Sequence, residues 1–278
     1  SYRVNGQIRH NPDRPFIEDL DALPFVTEIY HRDLTMERYL IPYLRHPYVS
    51  IYTGRGCPSH CVFCLWPQTF TGHRYRVRSV DNVVAEVRRS LELFPQAAEI
   101  FFDDDTFTAD GERARQISRA LAPLKCMWSA TARVTTSYET LKAMKEGGCR
   151  LLVAGFETGD PQVLKNIRKG ATLELGRRFA KWCRELGLQV HGTFMVGLPG
   201  ETRESLEASI RFACELDPDT IQVSLATPYP GTEFYELCLE KGYLQSDSLV
   251  NGSTGYQQCV VEYPSLAAAE IFQAVPRF

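Results

Sequence analysis

Three cysteines stand close together near residue 60, directly after a short apolar stretch. Cys57, Cys61 and Cys64 have the spacing Cys-x3-Cys-x2-Cys, and Gly54 and Gly56 precede them. Glycine lets the backbone fold into a tight loop, and thiolates are soft ligands that suit zinc and iron–sulfur clusters. The spacing therefore predicts a metal centre on one loop rather than three unrelated buried thiols.

The identity of that metal centre has three readings on these residues alone. A structural zinc site needs a fourth ligand, and His60 lies inside the loop but is poorly spaced to provide it. An iron–sulfur electron carrier usually coordinates every iron with protein ligands. A cluster held by three cysteines leaves one iron open to another molecule. The candidates are thus a catalytic cluster, a non-catalytic electron carrier and a zinc-stabilised binding module.

The composition limits the class of protein. The chain has 278 residues, 44% of them hydrophobic, and a net charge of −3. The near-neutral balance argues against a general nucleic-acid binder, and no apolar run approaches the roughly 18 residues of a membrane span. Nine cysteines, an odd number, and the lack of a signal peptide indicate a reducing compartment. We expect a cytoplasmic protein with no nucleic-acid partner.

Strand and helix patterns alternate from Tyr48 onward. The predicted strands are Val49–Thr53, Glu99–Asp103, Cys126–Ala130, Leu151–Phe156, Val190–Val196 and Thr220–Leu225. The predicted helices are Val80–Phe94, Gly111–Ala122, Tyr138–Glu146, Leu173–Leu186, Glu201–Glu215 and Glu233–Lys241. Such alternation implies parallel pairing with covering helices. We expect an α/β fold, a partial TIM-like (βα)6 barrel of parallel strands with outer helices, whose chemistry lies where strands end.

The domain organisation follows from the same patterns. Residues 1–45 are broken by prolines and are predicted to be a linker or lead-in that packs on the main domain. The barrel occupies residues 46–245, and residues 246–278 form a C-terminal extension. The chain begins at Ser1 and ends at Phe278 inside a predicted helix, so we expect further segments on both sides.

The cysteine loop after the first strand of a βα barrel, with Phe63 directly before the last cysteine, resembles the radical S-adenosylmethionine (SAM) superfamily. The resemblance implies that Cys57, Cys61 and Cys64 hold a 4Fe–4S cluster whose open iron chelates SAM. One electron from the cluster then cleaves SAM to methionine and a 5′-deoxyadenosyl radical. An electron donor such as flavodoxin or ferredoxin is the implied partner. On the same resemblance, we expect Phe63 to be one of the cofactor-binding residues.

The same resemblance assigns SAM contacts at later strand ends. Asp104 and Asp105 are the candidates for the SAM amino group, and Glu157 for the ribose hydroxyls. Arg133 and Lys169 are the candidate cations for the methionine carboxylate. Without the family, the acids read as a solvated turn and helix cap, and either cation as an ordinary surface ion pair.

Further segments narrow the resemblance to one branch. Residues 197–202 and 228–232 resemble the branch that includes methylthiotransferases and cobalamin-binding radical SAM enzymes. Residues 19–24, 65–68 and 72–79 resemble the hopanoid-biosynthesis proteins of that branch. The resemblance implies a lipid-linked sugar (hopanoid) substrate, contraction of a hopanoid-linked glucosamine to a cyclitol ether, and contact with the membrane surface. It also implies that residues 1–45 are the linker after a missing N-terminal cobalamin-binding domain, with cobalamin as a candidate cofactor of the full-length protein. The alternative is a cobalamin-dependent radical methyltransferase or a methylthiotransferase.

Two further sets of residues carry weaker signals. A basic stretch is a solvated strand or a contact for an anionic group; it consists of His73, Arg74, Arg76 and Arg78. Six scattered cysteines are expected to be small core residues; they are Cys126, Cys149, Cys183, Cys214, Cys238 and Cys259.

Overall fold

The computed structural model describes residues 1–246 and 258–278. The strands are β1 (Tyr2–Val4), β2 (Gln7–Arg9), β3 (Tyr48–Ile51), β4 (Gly54–Arg55), β5 (Arg76–Val77), β6 (Glu99–Phe102), β7 (Trp128–Ala132), β8 (Cys149–Glu157), β9 (Gln189–Val196) and β10 (Thr220–Leu225). The α-helices are α1 (Val26–Asp33), α2 (Val80–Leu93), α3 (Gly111–Leu121), α4 (Tyr138–Glu146), α5 (Pro161–Asn166), α6 (Leu173–Leu186), α7 (Arg203–Leu216), α8 (Glu233–Lys241) and α9 (Ala268–Ala274). Pro67–Thr71 forms a π-helical turn.

Six strands form one parallel sheet in the order β10-β9-β8-β7-β6-β3. The order follows the chain from one edge to the other, as successive right-handed βαβ crossovers produce. Within the described residues β3 and β10 remain at opposite edges, so the barrel is partial. The expected α/β fold of parallel strands and outer helices is confirmed.

Strand alternation separates the outer core from the inner face of the sheet. Phe102 and Trp128 point outward and pack under the helices, with their ring centroids 5.3 Å apart. Phe101 points the other way and packs with Leu44 and Tyr48. Because side chains alternate along a strand, the residues next to the outward-facing ones line the inner face, where the strand ends can meet a ligand.

Side-chain caps decide where the helices begin. Thr202 precedes α7, and its Oγ1 accepts a hydrogen bond from the Ser205 N–H at 3.2 Å. The Ser205 Oγ accepts in return from the Thr202 N–H at 2.9 Å. This reciprocal cap places the start of α7 at Arg203, two positions after the predicted start, because a cap residue itself lies outside the helix.

Segments outside the barrel pack against it. In the lead-in, Thr27 is buried and donates through its N–H and Oγ1 to Glu86 of α2. Near the C-terminus the Tyr263 hydroxyl donates to the Gly197 carbonyl at 2.9 Å, and Ile271 of α9 is fully buried. The domain boundaries 1–45, 46–245 and 246–278 stay a prediction, and residues 247–257 of the extension lie outside the described residues. Among the described helices, none is long and apolar enough to cross a bilayer.

Candidate functional site

The cysteine loop lies at the carboxyl end of β3, and backbone hydrogen bonds attach it to distant parts of the barrel. The Cys57 N–H donates to the Gly72 carbonyl at 3.3 Å. Val62 connects the loop in two directions: its N–H donates to the Ile167 carbonyl at 3.1 Å, and its carbonyl accepts from the Phe234 N–H at 3.0 Å. The loop is therefore held from the segment after α5 and from the start of α8.

Gly56 allows the chain to enter this loop. Its φ is +91°, and a Cβ at this position would lie 2.3 Å from the Arg74 carbonyl oxygen. No other residue type fits so close to a backbone atom at positive φ. The Gly56 N–H in turn donates to Asp105 Oδ2 at 2.7 Å. The expected tight glycine turn is present, and an acid from the end of β6 fixes it.

The three thiols share one electrostatic environment. Burial raises the pKa of Cys61, and the charges of Lys169 and Arg133 oppose that rise. Burial raises the pKa of Cys64 to about 12, and the backbone N–H of Trp66 opposes that rise. A metal ion or nearby cations are what such buried thiols need in order to ionise.

These residues fit an iron–sulfur cluster in donor chemistry and in the charge placed around it. Besides burial, the charge of Cys57 raises the pKa of Cys61, and the charges of Cys61 and Cys57 raise the pKa of Cys64, as expected for thiols grouped on one loop. Within residues 1–246 and 258–278, no group of three or more His, Cys, Asp or Glu side chains already has the arrangement of a metal site. The assignment of the three cysteines as ligands stays a prediction.

Glu157 and Lys169 form a buried ion pair beside this loop. Nζ of Lys169 lies 2.5 Å from Oε1 of Glu157, with side-chain exposures of 12% and 8%. Burial by itself lowers the pKa of Lys169, but attraction to Glu157 and Cys61 outweighs it, so the pKa lies above its ordinary value. The ammonium therefore stays charged, next to a thiol of the loop.

The backbone at Glu157 is unusual for a residue with a side chain. Its φ is +67°, and the pairing of β8 with β9 shifts register between Gly155 and Glu157. A Cβ on Gly155 would lie 2.3 Å from Oε1 of Glu157 and 2.7 Å from Nζ of Lys169. The irregular strand end and the bare glycine together make room for the ion pair.

Arg133 directly follows β7 and connects the pair to the cysteine loop. Its guanidinium donates to Ser59 Oγ, inside the loop, and to the Lys169 carbonyl at 2.5 Å. Three of the residues predicted to bind SAM, Arg133, Glu157 and Lys169, thus lie together around the loop. Their contacts with SAM stay a prediction.

The two predicted acids have structural partners. Asp104 is 2% exposed, and its oxygens accept from the Thr53 N–H at 2.6 Å and from Thr53 Oγ1 at 2.5 Å. Burial raises its pKa to about 6, although the Thr53 hydrogen bonds lower it. Asp105 holds Gly56, as described above. This geometry does not favour Asp104 as a ligand for the SAM amino group, and the assignment of that group to Asp104 and Asp105 stays a prediction.

Asp103 is a third acid at the end of β6 and was not predicted as a site residue. It follows Phe102 and shares the inner face with Phe101. The Tyr52 hydroxyl donates to its Oδ2 at 3.4 Å, and burial raises its pKa. The alternation of side chains along β6 was the available signal for separating Asp103 from its neighbour.

Phe63 and the remaining predicted residues have mainly structural surroundings. Phe63 is half-buried and packs against the core beneath α8 and α9. In the basic stretch, Arg78 forms a buried ion pair with Glu86, whereas Arg74 pairs with Glu18 at the surface. Among the six scattered cysteines, Cys214 is exposed, which corrects its assignment to the core. Cys149, Cys183 and Cys238 are buried as expected.

Comparison with known proteins adds a family and relatives. The profile described as the Radical SAM superfamily matches residues 51–213. The uncharacterized methyltransferase PH0819 of Pyrococcus horikoshii is 39% identical over 247 residues, which are 88% of this chain and 52% of that protein. Cytidylyl-2-hydroxyethylphosphonate methyltransferase of Streptomyces wedmorensis is 32% identical over 265 residues, 89% of this chain and 48% of that protein.

A solved structure shares the fold. The radical SAM methyltransferase TsrM from Kitasatospora setae, with cobalamin and a [4Fe-4S] cluster bound, aligns with a TM-score of 0.65 at 21% identity. The alignment covers 83% of this chain and 46% of that one. The chain spans about half the length of the curated relatives it matches.

Proposed function

Because the chain belongs to the radical SAM superfamily, we propose that it is the cluster-bearing part of a cobalamin-dependent radical methyltransferase. The observation that carries the proposal is the placement of Arg133, Glu157 and Lys169 around the three-cysteine loop. Its support from relatives is that PH0819 and the Streptomyces protein are both named methyltransferases. TsrM contains cobalamin with the cluster in a related fold.

The chain's own residues supply the binding geometry of this reaction. Cys57, Cys61 and Cys64 would hold the cluster, and Arg133 would brace their loop through Ser59. With SAM bound, the cluster would supply an electron and hence a 5′-deoxyadenosyl radical, while cobalamin would supply the methyl group. These residues have to present SAM to the loop and keep its charge balanced.

The ion pair between Glu157 and Lys169 has unused hydrogen-bonding groups that could bind SAM. Lys169 carries three N–H donors and gives one of them to Glu157. Within the described residues Oε2 of Glu157 accepts no hydrogen bond, so it is available to a ribose hydroxyl. The other Lys169 donors are available to the carboxylate of SAM. The ion pair can thus offer an acceptor to the ribose and donors to the carboxylate of one SAM molecule.

The ring contraction of a hopanoid-linked sugar draws no support from these relatives. None of the three comparisons above is named for that reaction. Methyl transfer is therefore the better-supported of the two readings. An electron donor such as flavodoxin or ferredoxin remains part of the proposal. Each cleavage of SAM consumes one electron, and a donor has to replace it.

The test uses the full-length protein, made without oxygen and supplied with cobalamin. We expect iron, sulfide and cobalamin to remain bound after gel filtration. With methyl-labelled SAM and a low-potential reductant, we expect 5′-deoxyadenosine to form and label to enter the protein-bound corrinoid fraction. Cys57→Ala should abolish the 5′-deoxyadenosine, whereas Cys214→Ala, at an exposed site, should leave it unchanged. Formation of 5′-deoxyadenosine without cobalamin binding would exclude the cobalamin-dependent reading and favour a methylthiotransferase.

A further inference from the structure

Gln68 joins the cysteine loop to helix α8 through one side chain. Its Nε2 lies 3.2 Å from the Cys61 carbonyl oxygen, 3.2 Å from that of Val62 and 2.8 Å from that of Cys64. Its Oε1 accepts from the Glu233 N–H at 2.9 Å. Two amide hydrogens therefore serve three carbonyls of the loop, and the amide oxygen serves the first residue of α8.

The first backbone N–H groups of α8 find hydrogen-bond acceptors in the cysteine loop and the turn that follows it. The first N–H groups of a helix have no partner within the helix. Here the first goes to Gln68, the second, from Phe234, goes to the Val62 carbonyl at 3.0 Å, and the third, from Tyr235, goes to Thr232 Oγ1 at 3.2 Å. The acceptors for two of these three donors thus belong to the cysteine loop and its adjoining turn.

The bracing also fixes the backbone that carries two of the candidate ligands. Gln68 bonds back to the carbonyl of Cys61 and to that of Cys64. Hydrogen bonds to the sulfurs and solvent exposure help to set the reduction potential of an iron–sulfur cluster. The side chain of Gln68 therefore holds the backbone beside two ligand sulfurs without contacting the cluster itself.

We propose that Gln68 is a positioning residue for the cluster: it locks the turn at 61–68 to the N-terminus of α8 and thereby fixes the backbone that carries Cys61 and Cys64. The inference rests on the cluster assignment within the proposed function and is independent of methyl transfer. It predicts that the two halves of the amide have separable effects, since the nitrogen serves the loop and the oxygen serves the helix.

The first test needs no cluster. Hydrogen exchange of the cluster-free full-length protein is measured in peptides covering 57–68 and 233–236. Gln68→Ala removes both halves of the amide, so exchange should accelerate in both segments. Gln68→Glu keeps an acceptor for Glu233 and removes the donors, so exchange should accelerate in the loop alone. Gln273→Glu, at an exposed position of α9, is the matched control and should change neither.

The second test uses the reconstituted protein. The midpoint potential of the cluster is followed by electron paramagnetic resonance during a redox titration, with iron content measured alongside. We expect both Gln68 variants to shift the potential, because the backbone that carries Cys61 and Cys64 would no longer be held in place beside the cluster. We expect Gln273→Glu to match the natural chain.

Each test can overturn the proposal separately. Unchanged loop exchange in both Gln68 variants would show that the side chain does not brace the turn. An unchanged potential at normal iron content would show that the brace does not reach the cluster. If the variants fail to load iron, the exchange measurement still decides the first point. If the natural chain binds no iron, the cluster assignment fails while the exchange result stands.

Discussion

Nζ of Lys169 lies 2.5 Å from Oε1 of Glu157, and these side chains beside the cysteine loop are only 12% and 8% exposed. A buried pair adds little net stability, but removal of one partner leaves an uncompensated charge. The arrangement therefore keeps two ionised groups in a water-poor site, where hydrogen bonds to a charged ligand are strong.

The ion pair gives the first prediction. Glu157→Gln and Lys169→Met should each weaken SAM binding to the reconstituted protein by about tenfold or more, because loss of one charge-assisted hydrogen bond costs about 1.5–3 kcal/mol. Isothermal titration calorimetry measures this, with iron content checked in each variant. Lys142→Met, at an exposed pair with Glu146, should bind SAM as the natural chain does. Unchanged affinity in both site variants would remove the pair from the SAM site.

The cysteine loop gives the second prediction. Replacing any one of Cys57, Cys61 or Cys64 by Ala should remove the 4Fe–4S signal and at least nine-tenths of SAM cleavage, on the order of the loss expected when a ligand is missing. Cys149→Ala, at a buried site far along the chain, should retain the signal if it folds. Iron analysis and electron paramagnetic resonance after reduction make the comparison. Cleavage retained in all three loop variants would contradict the ligand assignment.

Gly56 gives the third prediction. Gly56→Ala would place a Cβ 2.3 Å from the Arg74 carbonyl oxygen at a φ of +91°. We expect the loop to be displaced and bound iron to fall severalfold, with a loss of about 1–3 kcal/mol in the free energy of unfolding. Gly6→Ala is the control, because its φ is +80° but nothing lies within 4 Å of the new Cβ. Equal iron binding in the two variants would show that space at Gly56 is not what the loop requires.

Asp104 gives a prediction about pH. Its pKa rises from 3.8 to about 6 on burial, so between these values the folded state holds a proton that the unfolded state releases. This contribution to stability is fully present below pH 3.8 and is lost as the pH rises through 6; the total is about 3 kcal/mol. Asp104→Asn cannot ionise, so its stability relative to the natural chain should increase between pH 4 and pH 7.

Urea unfolding at several pH values measures this difference. Asp81→Asn, at an exposed position in the first turn of α2, provides the control for a general effect of removing one acid. A stability difference between Asp104→Asn and the natural chain that stays constant across the range would contradict the raised pKa.

Much of the fold was predictable because the central strands and helices have strong periodic patterns. The predicted and observed ranges agree at both ends for α4, α6, α8 and β10. α5 was missed because six residues are too few for a helical pattern, although Asp160 caps it and Pro161 begins it. α1 was missed because the prolines of the lead-in masked an eight-residue helix.

The site was predictable in part, and the reason lies in which contacts are local. The spacing of the three cysteines is a local property, so the sequence displays it directly. The proximity of Arg133 to Ser59 joins residues 74 positions apart, and only the family resemblance anticipated such a grouping. The role of Gln68, which reaches Glu233 across 165 positions, had no signal in the sequence at all. The hydrogen bond from Thr53 to Asp104 likewise depends on the pairing of β3 with β6, which the sequence does not display.

The left-handed backbone at Glu157 implies a trade-off between durability and binding. Side chains at positive φ cost of order 1–2 kcal/mol relative to glycine, and φ at Glu157 is +67°. A variant library of this protein selected for heat resistance alone should therefore enrich glycine at position 157, and those survivors should bind SAM poorly. Selection that also demanded SAM binding should favour glutamate at position 157. Selection for heat resistance alone and selection for SAM binding would thus favour different residues there.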